Sequence, residues 1–390
     1  VRSLGRAVTW IFLPVIFVEI YGLSYTTVGL LVASIVPVSM LAHLLGGSLS
    51  DRRGRRWLAT LPSFVSAFCM VSIFLLIDQG VAVTMGLWAI NAFGMALSGP
   101  AQSAMIADVT RALDLPMAYS IQRVFVNAGF AISPALGGLI ADSLGLSYLF
   151  LFGGIATLGE GLVLLLFLRE TLPGGRGSTA ERHWAQFSAP FRDRTFLLML
   201  SVLAGGVVVA NQFGTPLTLY LVDVRQLPLS EFGYIYAING ALVVLMQIPI
   251  SRWIERTRHY LVWLAGGTLL YGIGFVLFGL GAAFPIFAAA MIILTLGENS
   301  TSPIQQTVVS NFAGPQRRGS YFGTYNATAN AARAVGPVLG TLLLALGSTV
   351  WWASIFASAL FVALLVLFLR DRLGSRVERG TPGAPKAAGA

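Results

Sequence analysis

Glu298 stands near the middle of a long apolar stretch, and Ser302 and Gln305 follow it four and seven residues later. That spacing places all three on one helical face. An ionisable group at membrane depth is costly and marks a functional site by default. Low dielectric disfavours the charged form of a carboxyl, so a carboxyl placed there is suited to load and release a proton. It is equally suited to a structural ion pair or a hydrogen-bonded contact between helices, and the residues alone leave both readings open. Other apolar stretches carry similar polar stripes. Asn91, Ser98 and Gln102 share one face, Arg123 and Asn127 lie one turn apart, and Asn326, Asn330 and Arg333 repeat at helical spacing. Either arginine suits pairing with Glu298 or gripping an anionic solute, and either suits a structural contact. Glu19, toward the end of the first stretch, reads as a second proton site or as an interfacial acid. Asn211 and Gln212 are candidates for touching a solute. Glu160 reads better as a structural partner and His43 as a packing residue. Trp10, Phe12 and Phe213 read as core or lipid-facing groups, and Trp351 and Trp352 as interface anchors.

The elements that hold these residues are set by composition. The chain has 390 residues, 56% hydrophobic and 11% charged, against about 25% charged in soluble domains. So much apolar surface calls for lipid as the solvent. A spanning helix needs roughly 20 apolar residues. About twelve such stretches are expected, near 5–22, 26–49, 57–78, 83–108, 118–141, 146–168, 195–222, 231–251, 260–280, 285–311, 320–345 and 349–370. The fold class is therefore all-α integral membrane, and long unbroken apolar runs argue against a barrel of alternating strands. The first stretch lacks a small-residue cleavage site and leads straight into the second, so it is expected to remain as the first helix.

The net charge of +9 suggests a polyanion partner until the charges are placed. Arg123 and Arg333 lie within apolar runs and Arg225 in a loop on one side. Every other basic residue falls at a terminus or in the alternate loops on the opposite side. This bias sets both termini in the cytoplasm and removes the nucleic-acid reading. Cys69 is the single cysteine and cannot form an internal disulfide. Walker-type and Cys/His metal motifs are absent, so neither a cofactor nor a metal is expected.

Residues 170–195 form the one long polar interval, rich in glycine, proline and arginine. They read as a linker between an N-terminal six-helix half, 1–169, and a C-terminal half, 196–370; residues 371–390 read as a disordered cytoplasmic tail. The halves repeat. Pro100 and Pro303, Gln102 and Gln305, Asn127 and Asn330, Pro134 and Pro337, and Gly137 and Gly340 all stand at one offset of 203. Six spans per half make the repeats parallel, with a pseudo-two-fold axis along the membrane normal and a site expected near mid-membrane. Glu298 corresponds to Met95 in this register, so the symmetry breaks there.

The loop between the second and third stretches reads Gly47-Ser48-Leu49-Ser50-Asp51-Arg52-Arg53-Gly54-Arg55-Arg56. It resembles the first-cytoplasmic-loop signature of the major facilitator superfamily, G-x-L-x-D-R-x-G-R-R, at every defined position. The resemblance covers essentially the whole chain and implies the major facilitator fold. It implies a cytoplasmic latch of Asp51, Arg55 and Asp108, with Gly47, Arg52 and Gly54 shaping the loop. The second half carries a degraded copy, in which Glu255 and Arg256 stand for Asp51 and Arg52 and His259 replaces the later arginine. Gly129-x-x-x-Ser133-Pro134-x-x-Gly137-Gly138 resembles the fifth-helix motif of the family's twelve-span drug:proton antiporters, with Ser133 in place of a glycine. Its second copy, ending Gly336-Pro337-x-x-Gly340, also fits a generic hinge. In the superfamily fold helices one, four, seven and ten line the cavity, and the polar stripes are expected to converge on it.

What the resemblance implies is a secondary transporter, not an enzyme: a proton-coupled exporter of amphipathic small molecules or drugs working by alternating access. A proton-coupled symporter or facilitator for a nutrient or lipid-like solute is the alternative, and a non-transporting receptor or scaffold a third. The expected partners are a small-molecule substrate, protons and the lipid bilayer. The chain is expected to act as a monomer in the plasma (inner) membrane of a bacterium.

Overall fold

The computed structural model describes residues 2–109, 115–171, 189–312 and 318–377. Among them every regular element is helical. The main helices are α1 (Arg2–Glu19), α2 (Tyr25–Arg53), α3 (Arg55–Leu76), α4 (Val81–Val109), α5 (Leu115–Leu144) and α6 (Tyr148–Phe167). They continue with α7 (Arg194–Ala210), α8 (Leu229–Thr257), α9 (Tyr260–Leu280), α10 (Phe284–Phe312), α11 (Arg318–Leu346), α12 (Ser348–Phe368) and a short α13 (Arg370–Val377). Among the described residues, eleven helical segments are long and apolar enough to cross a membrane. The remaining expected span, α1, is helical from Arg2 to Glu19, and among the residues whose side chains are described Thr9–Glu19 is an apolar helix.

Sequence sets the breaks. Ser24 caps α2 by accepting from the Thr27 amide at 3.3 Å. Gly54 separates α2 from α3 with φ of +99°, a left-handed backbone that favours glycine. Prolines sit inside several spans, among them Pro134 in α5 and Pro337 in α11. A membrane helix tolerates them where neighbouring groups satisfy the freed backbone. The seventh span is not continuous. After α7 it passes through a 3-10 turn at Asn211–Phe213, a short α-turn at Thr215–Leu219 and a π-turn at Tyr220–Val224.

The chain divides into two compact units, Val1–Ala180 with Gly214–Val244, and Glu181–Phe213 with Leu245–Ala390. In the first, α3 lies between α4 and α6, and α1 packs on α5 and α6. In the second, α9 packs on α10 and α12, and α7 on α11. Glycines allow these approaches: a Cβ on Gly46 would stand 2.3 Å from the Leu97 carbonyl oxygen, and one on Gly297 2.6 Å from the Gly267 carbonyl oxygen.

The start of the expected disordered tail is instead the helix α13. Leu373 and Val377 are fully buried in the core of the second unit, and Asn311 Nδ2 donates to the Val377 carbonyl at 2.8 Å. Apolar residues four apart give this segment a face to bury despite its arginines. Residues 378–390 and most of the expected linker, 172–188, lie outside the described residues.

Candidate functional site

In the first unit the ends of α2, α4 and α6 and the start of α3 share one face, called here the latch face. Arg55 Nη1 forms an ion pair with Asp108 Oδ2, at the end of α4. Side-chain exposures of 13% and 22% shield this pair partly from solvent, so it outweighs an exposed surface pair. Thr171 Oγ1 donates to the same Asp108 oxygen at 2.6 Å. Glu170 then closes the network. Its Oε1 accepts from the Arg55 amide and its Oε2 from the Arg56 amide, both at 3.0 Å. It thereby caps the first turn of α3, whose own N-cap is a glycine without a side chain. Arg56 Nη2 donates to the Leu165 carbonyl at 2.8 Å, near the end of α6.

Of the expected latch residues, Arg55 and Asp108 thus meet, while the side chains of Gly47, Asp51 and Arg52 lie outside the described residues. Glu170 and Thr171 were not anticipated. The available signal was the helix three that begins on a glycine and needs a cap from elsewhere. Gly54→Ala would drive a Cβ to 2.7 Å from Glu170 Oε2, at a φ of +99°. Glu170→Ala is expected to cost about 1 kcal/mol of stability through the lost cap, and Gly54→Ala at least as much. Thermal unfolding of the purified variants checks both. In the degraded second copy Glu255, Arg256 and His259 are exposed.

The opposite, distal face of this unit is built from the end of α5 and the starts of α2 and α8. Tyr25 donates its hydroxyl to Asp223. Asp142 accepts from the Leu229 and Ser230 amides at 3.1 and 2.8 Å. The motif glycines of α5 explain the closeness: a Cβ on Gly138 would lie 2.2 Å from the Leu229 carbonyl oxygen, and one on Gly137 2.7 Å from the ring of Phe12. Gly233 and Gly240 of α8 meet Pro134 and Ala131 in the same way, at 2.3 Å each. Gly129 is half-buried, and Pro337 and Gly340 of the second copy are buried in α11. Glu19 is exposed at the distal end of α1, within electrostatic reach of Asp223.

The polar stripes have more varied settings than periodicity suggests. Asn91 is buried and its Oδ1 accepts from Ser66 of α3, which makes it an inter-helix contact. Gln102 and Asn127 are half-buried, and the Arg123 side chain lies outside the described residues. His43 stands beside Gly99 of α4, and Glu160 is buried in α6, both settings of packed residues.

In the second unit Glu298 is half-buried and lies within electrostatic reach of the Tyr271 hydroxyl, which hydrogen-bonds Thr301. Thr301 in turn donates to the Gly297 carbonyl at 3.0 Å. Gln305 accepts from Tyr325 of α11 at 2.7 Å, and Ser302 is half-buried beside this stripe. Arg333 is exposed and donates to Asn330 Oδ1 at 2.8 Å, with Asn326 exposed one turn earlier.

Gln212 is a different case. It is buried, donates to the Gly336 carbonyl at 2.9 Å and accepts from Trp351 Nε1 at 3.2 Å. Both ends of its amide are therefore committed to tying the 3-10 turn of the seventh span to α11 and α12. Asn211 donates to the Val207 carbonyl at 2.8 Å, and Gly336 leaves room for its Cβ. Trp351, expected as an interface anchor, is a fully buried core residue stacked edge-on against Phe275. A tryptophan pair near a span end carries no mark that says which of the two turns inward. Gln212→Ala removes the bond from a buried indole N–H, and is expected to destabilise the protein by about 1–3 kcal/mol. Chemical or thermal unfolding of the purified variant checks that cost.

A family model described as Major Facilitator Superfamily matches residues 1–337 and 245–389. The chain belongs to the Major Facilitator Superfamily. It is a membrane transporter of that superfamily, not an enzyme. Among its superfamily relatives, an uncharacterised MFS-type transporter of Bacillus subtilis (strain 168), YttB, is 26% identical over 326 residues, covering 83% of this chain and 80% of that protein. A Na(+), Li(+), K(+)/H(+) antiporter of Planococcus maritimus is 26% identical over 360 residues, covering 84% and 83%. The multidrug resistance protein MdtH of Photorhabdus laumondii is 24% identical over 326 residues, covering 82% and 78%. Of solved structures, a POT family transporter with 5-aminolevulinic acid superposes with a TM-score of 0.78 at 16% identity over 95% of this chain and 94% of that one. That likeness supports the fold of the superfamily and nothing finer.

Proposed function

We propose that this superfamily member is a proton-coupled exporter of amphipathic small molecules, moving them by alternating access, with its latch face in the cytoplasm. The observation that carries the reading is the α5 motif. Gly138 of that motif, with Gly233 and Gly240 of α8, lets α5 and α8 come to backbone contact, as suits a join that closes and parts. The multidrug resistance and cation/proton antiporter relatives support the same direction. The proton carrier in this reading is Glu298, half-buried beside Tyr271 in α10, with Glu19 a second acid exposed on the distal face. Arg333 and Asn330 act as the polar lining of α11. The few charges at membrane depth fit neutral or cationic amphiphiles better than sugars or phosphates.

A thermal-shift screen of cationic amphiphiles, lipids and metabolites at two pH values, followed by flux of any stabilising compound in proteoliposomes, tests this. Movement of the compound against an opposing proton gradient supports export by exchange. Movement with the protons supports a symporter. A second reading, exchange of monovalent cations for protons, is favoured by the Planococcus maritimus relative. It predicts sodium or potassium flux, with no stabilisation by amphiphiles.

A further inference from the structure

The eighth membrane helix begins without a cap of its own. Pro228 stands just before Leu229 and offers neither a side-chain acceptor nor an amide, and the first backbone bond of the helix runs from the Phe232 amide to the Pro228 carbonyl at 2.9 Å. The amides of Leu229 and Ser230 are among those no helix can satisfy internally. Asp142, from the last turn of α5, fills both, one carboxylate oxygen to each. Its own position makes the arrangement unstable in isolation. A carboxylate in the last turn of a helix faces the negative end of that helix's dipole, whereas at the first turn of another it faces the positive end. The charge of Asp142 is thus settled chiefly by α8. Beneath it glycines let the two helices approach to backbone contact, with Gly138 under Leu229, Gly233 under Pro134 and Gly240 under Ala131. These contacts supply closeness without direction, and the Asp142 carboxylate adds two directional bonds at the start of α8. Tyr25 to Asp223 is a second distal bond, at the end of the seventh span. The latch face carries the same device, a carboxylate from one helix end (Glu170) capping a helix that starts on glycine.

We infer that Asp142 is a positioning residue of the transport cycle: a removable cap donated in trans, which holds the first turn of α8 on α5 and sets how often the distal face opens. It touches no solute. Its loss shifts the balance between distal-closed and distal-open forms. The inference rests on the alternating-access reading for its meaning in transport, but not for its measurement.

Hydrogen–deuterium exchange of the full-length protein in nanodiscs tests it. In Asp142→Ala, amides of 229–232 are expected to exchange about fivefold faster than in the wild type, the scale of a lost N-cap. Amides of Arg55 to Leu58, capped on the latch face, are expected to exchange no faster. Asp142→Asn, which keeps one acceptor oxygen, is expected to recover most of the protection. Unchanged exchange at 229–232 in Asp142→Ala overturns the inference. So does faster exchange on both faces together, which marks a general loosening, and so does an Asn variant that behaves like Ala. None of these readouts requires a solute or a proton gradient, so a failed flux assay leaves the test intact.

Discussion

Replacing Glu298 with glutamine is expected to abolish solute accumulation driven by a pH gradient while leaving solute exchange at equilibrium intact. The amide keeps the size and hydrogen-bonding capacity of the carboxyl but cannot change its charge. A gradient of two pH units supplies about 2.7 kcal/mol per proton, which supports roughly hundredfold accumulation for one-to-one exchange. Without the proton carrier that ratio falls to about one. The setting of Glu298 fits the role. It is half-buried on α10, across from a fully packed Tyr271 whose hydroxyl is held by Thr301. Its counterpart in the first half is Met95, buried and apolar, so the carboxyl belongs to one half alone. Flux in proteoliposomes, with and without an imposed gradient, checks the split. Accumulation that survives the substitution would assign Glu298 to structure.

The second large effect concerns the contact between α5 and α8. Gly240→Val would place a Cβ at 2.3 Å from Ala131 Cα and 2.6 Å from its amide nitrogen. Both obstacles are backbone, so no rotamer change relieves them, and overpacking of this kind costs about 1–3 kcal/mol. In the proposed alternating-access cycle the strain falls on the form in which α5 and α8 touch, so the variant is expected to populate the form in which they part about tenfold more, on the arithmetic of about 1.4 kcal/mol per decade. Turnover is expected to fall by a similar factor with expression retained. Accessibility of a cysteine introduced at Ser133, fully buried in this form, probed with a membrane-impermeant maleimide, measures the shift. Labelling and turnover equal to those of the background without the valine would show that the contact can loosen at no cost.

These expectations draw unequally on sequence and on structure. Arg55 and Asp108 were legible through the resemblance of the loop to the superfamily signature, which implies that the later arginine meets an acid at the end of the fourth helix. The α5 glycines were legible for the same reason: a proline and three glycines in a membrane span are a pattern, and close helix packing is what glycine does there. The spans themselves follow from hydropathy. What stayed hidden is which neighbour each polar face meets. Helical spacing put Asn91 and Gln102 on one stripe, yet Asn91 is bonded to Ser66 in the adjacent α3. Gln212 read as a solute contact, and it ties Gly336 to Trp351 instead. Caps supplied in trans are harder still, because Asp142 and Leu229 are 87 residues apart and Glu170 and Arg55 are 115 apart. Only the missing local cap, a glycine before α3 and a proline before α8, hints that a partner must come from elsewhere. The break in the seventh span had a signal in the run Asn211-Gln212-Phe213-Gly214-Thr215-Pro216. Its Gly and Pro two residues apart interrupt a helix by removing a Cβ and an amide.

Proton exchange for an amphipathic solute is read from the pH change that accompanies solute movement. The purified protein is reconstituted in lightly buffered proteoliposomes with a trapped pH dye, and a stabilising amphiphile is added outside with no gradient imposed. In proton exchange, solute entry drives protons out, so the lumen is expected to turn alkaline, and Glu298→Gln is expected to remove the signal. A lumen that turns acidic on solute entry, or solute uptake with no pH change in the wild type, would contradict proton exchange.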